Sequence, residues 1–247
     1  MFRPSSLHDL NSRAVPRRVC CCAVTPGRLS STLAAMTAVA TRPLLKGWSH
    51  LAAAAAAITL CPILIARSPE GTRIPAAIFG AGVIALFAVS GLFHRVEWGP
   101  RAHKIMQGLD HSMIFVVIAA TYTPIAAVAL PDPQGRLILT FVWAGAIGGV
   151  ALRFAWPSAP RAVVVAPYLV VGWVAVVVVV DVWRALGIAG FTLLVSGGLL
   201  HSIGAVVYAR KRPDPWPTVF GFHELFHLFV IGGIACHYVV IAFFALR

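Results

Sequence analysis

Charge is what this chain has least of. Asp, Glu, Lys and Arg make up only 11% of its 247 residues, against about a quarter in an ordinary soluble domain. So few charges cannot coat a water-soluble globule, and with 59% apolar residues and a mean hydropathy of +0.86 the chain reads as a membrane protein. Acids are scarcer still, at 8 residues, and none follows Glu224. There is no disulfide framework: Cys20, Cys21 and Cys22 adjoin one another, while Cys61 and Cys236 stand alone in apolar runs. Rossmann, P-loop and haem-attachment signatures are missing, which removes the support for nucleotide and haem cofactors. Ten-residue segments of alternating polarity are missing too, which excludes a transmembrane barrel.

The apolar residues gather instead into runs of about 20, each long enough to cross roughly 30 Å of hydrocarbon. Seven are predicted, at approximately 48–66, 74–94, 111–130, 137–156, 162–182, 186–209 and 220–245, separated by short breaks carrying Pro, Gly, Arg or Asp. The fifth contains VVVAPYLVVGWVAVVVVV, which is β-branched enough to be a strand in water. A lone strand in lipid leaves its backbone groups unpaired at several kcal/mol each, so this run too is expected to be helical. The fold class is therefore all-α, a polytopic membrane domain over 46–247.

Seven spans would put the N-terminal tail and the second, fourth and sixth loops on one side. Those segments hold fifteen of the 20 basic residues. By the positive-inside rule the N-terminus is expected in the cytoplasm and the C-terminus outside. The net charge of +12 then reflects topology and attraction to anionic lipid heads rather than nucleic-acid binding. Membrane lipids are the expected partners; the sequence names no protein partner. Residues 1–45, rich in Arg, Ser and Pro with Asp9 as the lone acid, read as a disordered basic tail. Within it RLSSTLAAMTAVA imitates a short signal peptide, but Arg42 and Lys46 follow at once; a start at Met36 would also account for this composition. The triple cysteine reads as thiols of that tail. The Ala-, Val-, Gly- and Arg-heavy composition suggests a bacterial inner membrane.

One motif invites a protease reading. His223-Glu-Leu-Phe-His227 matches H-E-x-x-H, whose two histidines share one helix face about 6 Å apart and can reach one cation. The extended protease pattern would need Gly at 230 and His at 233, where this chain has Val230 and Gly233, and no downstream acid exists to serve as third ligand. A third ligand must come from earlier in the chain. The second span ends Ser90-Gly-Leu-Phe-His94, again with a four-residue spacing, and the third begins Leu-Asp110-His-Ser. With seven spans, these two ends and the start of the seventh lie on the same side. His94, His223 and His227 would then form a three-nitrogen zinc site with a fourth position open to water. Asp110 could accept a proton from that water, and Ser90 could orient it or a substrate carbonyl.

S-x-x-x-H at 90–94, LDHSMIFVVIAATYTP at 109–124 and FGFHELFH at 220–227 resemble the haemolysin III branch of the progestin and adiponectin receptor family. The likeness runs from about Arg42 to the C-terminus and includes RPLLKGWSH and KRPDPWP. It implies a seven-helix membrane protein related to ceramidases, with zinc on His94, His223 and His227 and with Asp110 and Ser90 beside the metal. It also implies that Glu224 need not be a protease base, since family members can carry an amide there.

Other polar residues have humbler expected roles. His237 is about 15 Å beyond His227 along a helix, too far to share the metal, and is a candidate to line a cavity. His201 reads as a helix-packing hydrogen-bond partner. His50, His103 and His111 are expected at the same interface, chiefly as solvated faces. Thr121 to Pro124 suggests a kink satisfied by hydroxyls, and Gly145 with Gly149 a packing face. Three functions follow: a zinc-dependent hydrolase of a lipid amide or ester, a receptor-like regulator of membrane homeostasis with structural zinc, and a pore-forming cytolysin or channel.

Overall fold

The computed structural model describes residues 43–246, and they are helical apart from short connections. The expected tail, its triple cysteine and Met36 fall almost entirely outside these residues. In chain order the helices are α1 (Trp48–Arg67), α2 (Arg73–Arg95), α3 (Pro100–Ala129), α4 (Gln134–Ala155), α5 (Arg161–Gly172), α6 (Val179–Arg210) and α7 (Phe222–Val240). A 3-10 turn at Glu70–Thr72 precedes α2, another at Val174–Val178 joins α5 to α6, and a π turn at Ile241–Ala245 extends α7. No strand occurs among the described residues, only one isolated bridge between Trp216 and Phe220. Length has overruled the β propensity of the valine run, as hydrocarbon requires.

Six helical stretches among the described residues are long and apolar enough to cross a membrane. One of them, Arg161–Arg210, has 50 residues and as a straight helix would be about 75 Å long, more than twice the hydrocarbon thickness. It is not straight. Gly187 takes φ 64° and ψ 179°, a backbone state that costs other residues dearly, and the chain reverses there. Trp173 Nε1 donates to Ser202 Oγ at 3.0 Å, and Arg161 donates to the Tyr208 carbonyl at 3.2 Å. Residues on either side of Gly187 are thus paired across a hairpin.

Sequential helices pack as neighbours, α1 on α2, α2 on α3, α3 on α4 and α6 on α7, while α7 also touches α1. Helix α3 is central, touching α2, α4, α5, α6 and the π turn. It also starts earlier than hydropathy suggests. Its first eleven residues, PRAHKIMQGLD, are polar enough to read as loop, yet Pro100 opens the helix near its first position, where a missing N–H costs nothing. Asp110 therefore stands inside a helix rather than at its mouth. Further along, α3 runs on through Pro124. Thr121 and Thr123 bond the Val117 and Ala119 carbonyls, at 2.7 and 2.9 Å, and not the Ala120 carbonyl that the proline frees.

Two apolar cores result. One lies among α1, α2, α3 and α7 around Phe79, Leu86, Phe87 and Ile234; the other lies among α3 to α6 and the C-terminal end of α7 around Phe115, Val142, Tyr168 and Val182. Lipid tails are as apolar as these side chains, so contact quality rather than water expulsion holds the helices together. Small residues supply it. Gly149 receives the Phe115 ring, and Gly145 receives Val171, so the expected packing face serves two different helices. Outward-facing Ile74, Val170, Val177 and Ile188 are each at least 70% exposed, a surface suited to lipid rather than water.

Candidate metal centre

The α7 N-terminus is built by two acids. Phe222 N–H donates to Asp214 Oδ1 at 2.8 Å, and Gly221 N–H donates to Glu224 Oε2 at 2.9 Å. The second contact is the glutamate half of a capping box; Gly221 has no side chain to complete the other half. Glu224 is 1% exposed and holds the helix start that carries both histidines. One carboxylate oxygen of HELFH's acid is thus turned to the backbone, while Oε1 has no hydrogen-bond partner.

The segment before α1 completes this end of the molecule. Leu44 and Leu45 donate to the Thr218 and Val219 carbonyls, both at 3.1 Å, so the segment from Pro43 docks on the stretch that follows KRPDPWP. Gly47 then turns with φ 82°, and a Cβ there would stand 2.7 Å from His94 Cβ. Only glycine lets the chain pass this close over that histidine at this φ.

Beneath that lid, α2 and α7 bring His94, His223 and His227 together, with one ligand atom from each lying within 4.8 Å of the others. His94 Nε2 and His223 Nε2 are 2.9 Å apart. His227 is buried, and its Nδ1 has no hydrogen-bond partner, an orphan that a buried imidazole rarely tolerates. Three neutral imidazoles with converging nitrogens and no mutual charge compensation suit a divalent cation. The 2.9 Å spacing of this pair is a few tenths of an ångström short of the ~3.3 Å that two nitrogens span across tetrahedral zinc, while the set as a whole lies within 4.8 Å, so loading would need the rings to readjust about the ion. Among the described residues this is the group of side chains able to hold a metal.

Asp110 Oδ2 lies 4.0 Å from His94 Nε2 and 3.8 Å from His111 Nδ1. Ser90, buried on the same face of α2 as His94, lies beside the Asp110 carboxylate. All five residues singled out in the sequence therefore meet at one end of the bundle.

Three more belong there. His50, expected as a solvated face, is instead 2% exposed, with its ring stacked on His227 at 3.7 Å and 15°; the turn at Gly47 tucks the start of α1 inward. His111 is also engaged. Its Nδ1 donates to the Gln107 carbonyl at 2.8 Å, which leaves Nε2 to accept from the Tyr208 hydroxyl at 3.0 Å. Tyr208 was not singled out in the sequence, although it ends the run at 186–209 on the same side and could have been collected by the reasoning that collected His94. His103 stays apart from the cluster, against the Phe93 ring.

Two cavities meet at this centre. A polar one of about 430 Å³ is lined by Lys46, Gln107, Arg161 and Asp214. A mainly apolar one of about 120 Å³ extends between α3, α5, α6 and α7 as far as Trp173 and His237. Asp110, His111, Tyr208 and His223 line both. The histidine cluster thus reaches both compartments through His223, and the polar one through His94 as well.

A family model described as haemolysin-III related matches residues 38–238. Hemolysin-3 of Bacillus cereus is 30% identical over 187 residues, covering 74% of this chain and 82% of the relative. The Hemolysin-3 homolog of Bacillus subtilis is 32% identical over 170 residues, covering 69% and 76%. The human monocyte to macrophage differentiation factor is 30% identical over 173 residues, covering 68% and 69%. The chain is a multi-pass integral membrane protein and belongs to the haemolysin III family, within the progestin and adiponectin receptor family.

Proposed function

We propose that this protein is a zinc-dependent hydrolase of a lipid amide or ester. The observation that carries the reading is the position of His223, which lines both an apolar cavity that suits an acyl chain and a polar cavity that suits a headgroup and water, with His94 lining the polar one. His94, His223 and His227 would hold the metal, which when bound acidifies a water towards a pKa of about 7 and polarises a carbonyl. Asp110 receives the proton given up as water attacks, then returns it to the departing amine or alcohol. Ser90 holds the Asp110 carboxylate in place, and the paired Tyr208 and His111 form the wall against which the scissile group rests. Glu224 takes no part beyond capping α7.

In this reading the hairpin at Gly187 makes two crossings of the 50-residue stretch, giving seven spans. The cluster then faces the cytoplasmic leaflet of the bacterial inner membrane, with the N-terminus inside and the C-terminus outside, as the basic residues require. Seven crossings bring the ends of α2, α6 and the starts of α3 and α7 to one side, which is the grouping that Ser90, His94, Asp110, Tyr208 and His223 make. The test is metal analysis of the purified protein joined to a screen of lipid amides and esters. About one zinc per chain with metal-dependent acyl release supports the proposal. Stoichiometric zinc with no release from any lipid makes the metal structural and leaves a regulator of membrane homeostasis.

A further inference from the structure

The apolar cavity ends at two more histidines. His201 on α6 and His237 on α7 stack with ring centroids 5.3 Å apart and planes 18° apart. Each ring occupies a notch in the opposite helix. A Cβ on Gly233 would collide with His201, and a Cβ on Gly197 would collide with His237. The pair is thus seated reciprocally and both rings line the cavity.

Their hydrogens are assigned by partners that can only accept. His201 Nδ1 lies 2.8 Å from the Gly197 carbonyl, and His237 Nε2 lies 3.3 Å from the Leu194 carbonyl. Those nitrogens carry the N–H, so in the neutral rings His201 Nε2 and His237 Nδ1 remain as acceptors. Neighbouring polar groups are already engaged. The Tyr122 hydroxyl donates to the Gly172 carbonyl and accepts from Ala175 N–H; the Ser202 hydroxyl donates to the Gly198 carbonyl and accepts from Trp173 Nε1. The deep end of an otherwise apolar cavity therefore offers two acceptors and is short of donors. Ionisable side chains inside a bilayer are costly and mark function more often than packing; a phenylalanine would fill either notch without that cost.

We infer that this end of the cavity is a subsite for a hydrogen-bond donor on the ligand's chain, so that the protein prefers a hydroxylated acyl chain to a plain one. This rests on reading the cavity as the acyl site. His237 follows His227 by ten residues and the cavity-lining His223 by fourteen, about 15 to 21 Å along α7, and the hydroxyl stands about that far from the carbonyl held at the histidine cluster.

The test is equilibrium binding of ricinoleic acid, whose hydroxyl lies mid-chain at about this reach, against oleic acid, which lacks it. Both are titrated into the full-length, metal-loaded protein in detergent by displacement of a fluorescent fatty acid. Ricinoleate is expected to bind about tenfold more tightly, the scale of one buried hydrogen bond. The His201→Phe, His237→Phe double variant should bring the ratio of the two affinities near one, whatever the change in oleate affinity itself. His237→Gln, which keeps an acceptor, should retain part of the preference. Equal affinities in the unaltered protein, or a preference that survives in the double variant, overturns the subsite. Binding of neither acid overturns the acyl reading of the cavity and the subsite with it. An intact preference in a protein without turnover supports the subsite and removes only the hydrolysis.

Discussion

Replacing each of the two acids near the histidines by its amide separates the chemistry of this site from that of a metalloprotease. Glu224 Oε2 accepts from Gly221 N–H at 2.9 Å, and Gln can accept the same bond through its carbonyl oxygen. A charge-assisted bond of about 1.5–3 kcal/mol becomes a neutral one of about 0.5–1.5 kcal/mol. Against that loss, the unpartnered Oε1 is no longer part of a buried charge, which is costly to leave unpaired. The net change in stability is about 1 kcal/mol, and the metal site is untouched. Asp110→Asn alters no described hydrogen bond of the three histidines, yet it removes the group placed to take a proton, which is worth about 10²–10⁴-fold in rate. The assay is turnover on a fluorogenic lipid amide, with zinc content and thermal unfolding in detergent measured on the same samples. Glu224→Gln should keep its zinc and turn over within about threefold of the unaltered protein; Asp110→Asn should keep its zinc and lose at least about 10²-fold. The opposite pattern, with full zinc in both, would refute the assignment and restore the protease-like role of HELFH.

Zinc binding should vanish in His94→Ala, His223→Ala and His227→Ala but persist in His237→Ala; stoichiometric zinc in the His94 variant would dismiss this ligand set. Reporter fusions in the 211–221 connection should report cytoplasm and fusions after Arg247 the outside, whereas a cytoplasmic C-terminus would mean an even number of crossings or an inverted protein. Gly149→Leu should drive a side chain into the Phe115 ring and destabilise by about 1–3 kcal/mol, the usual scale of overpacking; unchanged detergent unfolding would show that α3 and α4 do not pack there. Gly47→Val should weaken zinc retention, because strain at φ 82° and contact with His94 Cβ both displace a ligand; metal dissociation in a chelator competition measures it, and an unaltered rate would sever the link between that turn and the site.

Hydropathy alone settled that this chain lives in a membrane, because runs of about 20 apolar residues in so uncharged a sequence admit no other solvent. Spacing alone suggested that Ser90 and His94, and His223 and His227, share helix faces, and counting crossings put those faces at one end with Asp110. These are properties of a single helix or of the order of helices, and both can be read along the chain. What the tertiary structure decided is which way each helix is turned. A membrane helix is apolar nearly all round, so it has no polar stripe to announce its inward face. Nothing local distinguished Glu224 as a cap from Glu224 as a base until Gly221 N–H was seen to donate to it. Nothing local placed His50 on the His227 ring or seated His201 and His237 in each other's glycine notches. Those depend on helix rotation and close approach, set by small residues on a neighbouring helix far away in the chain, and only the packed bundle contains them.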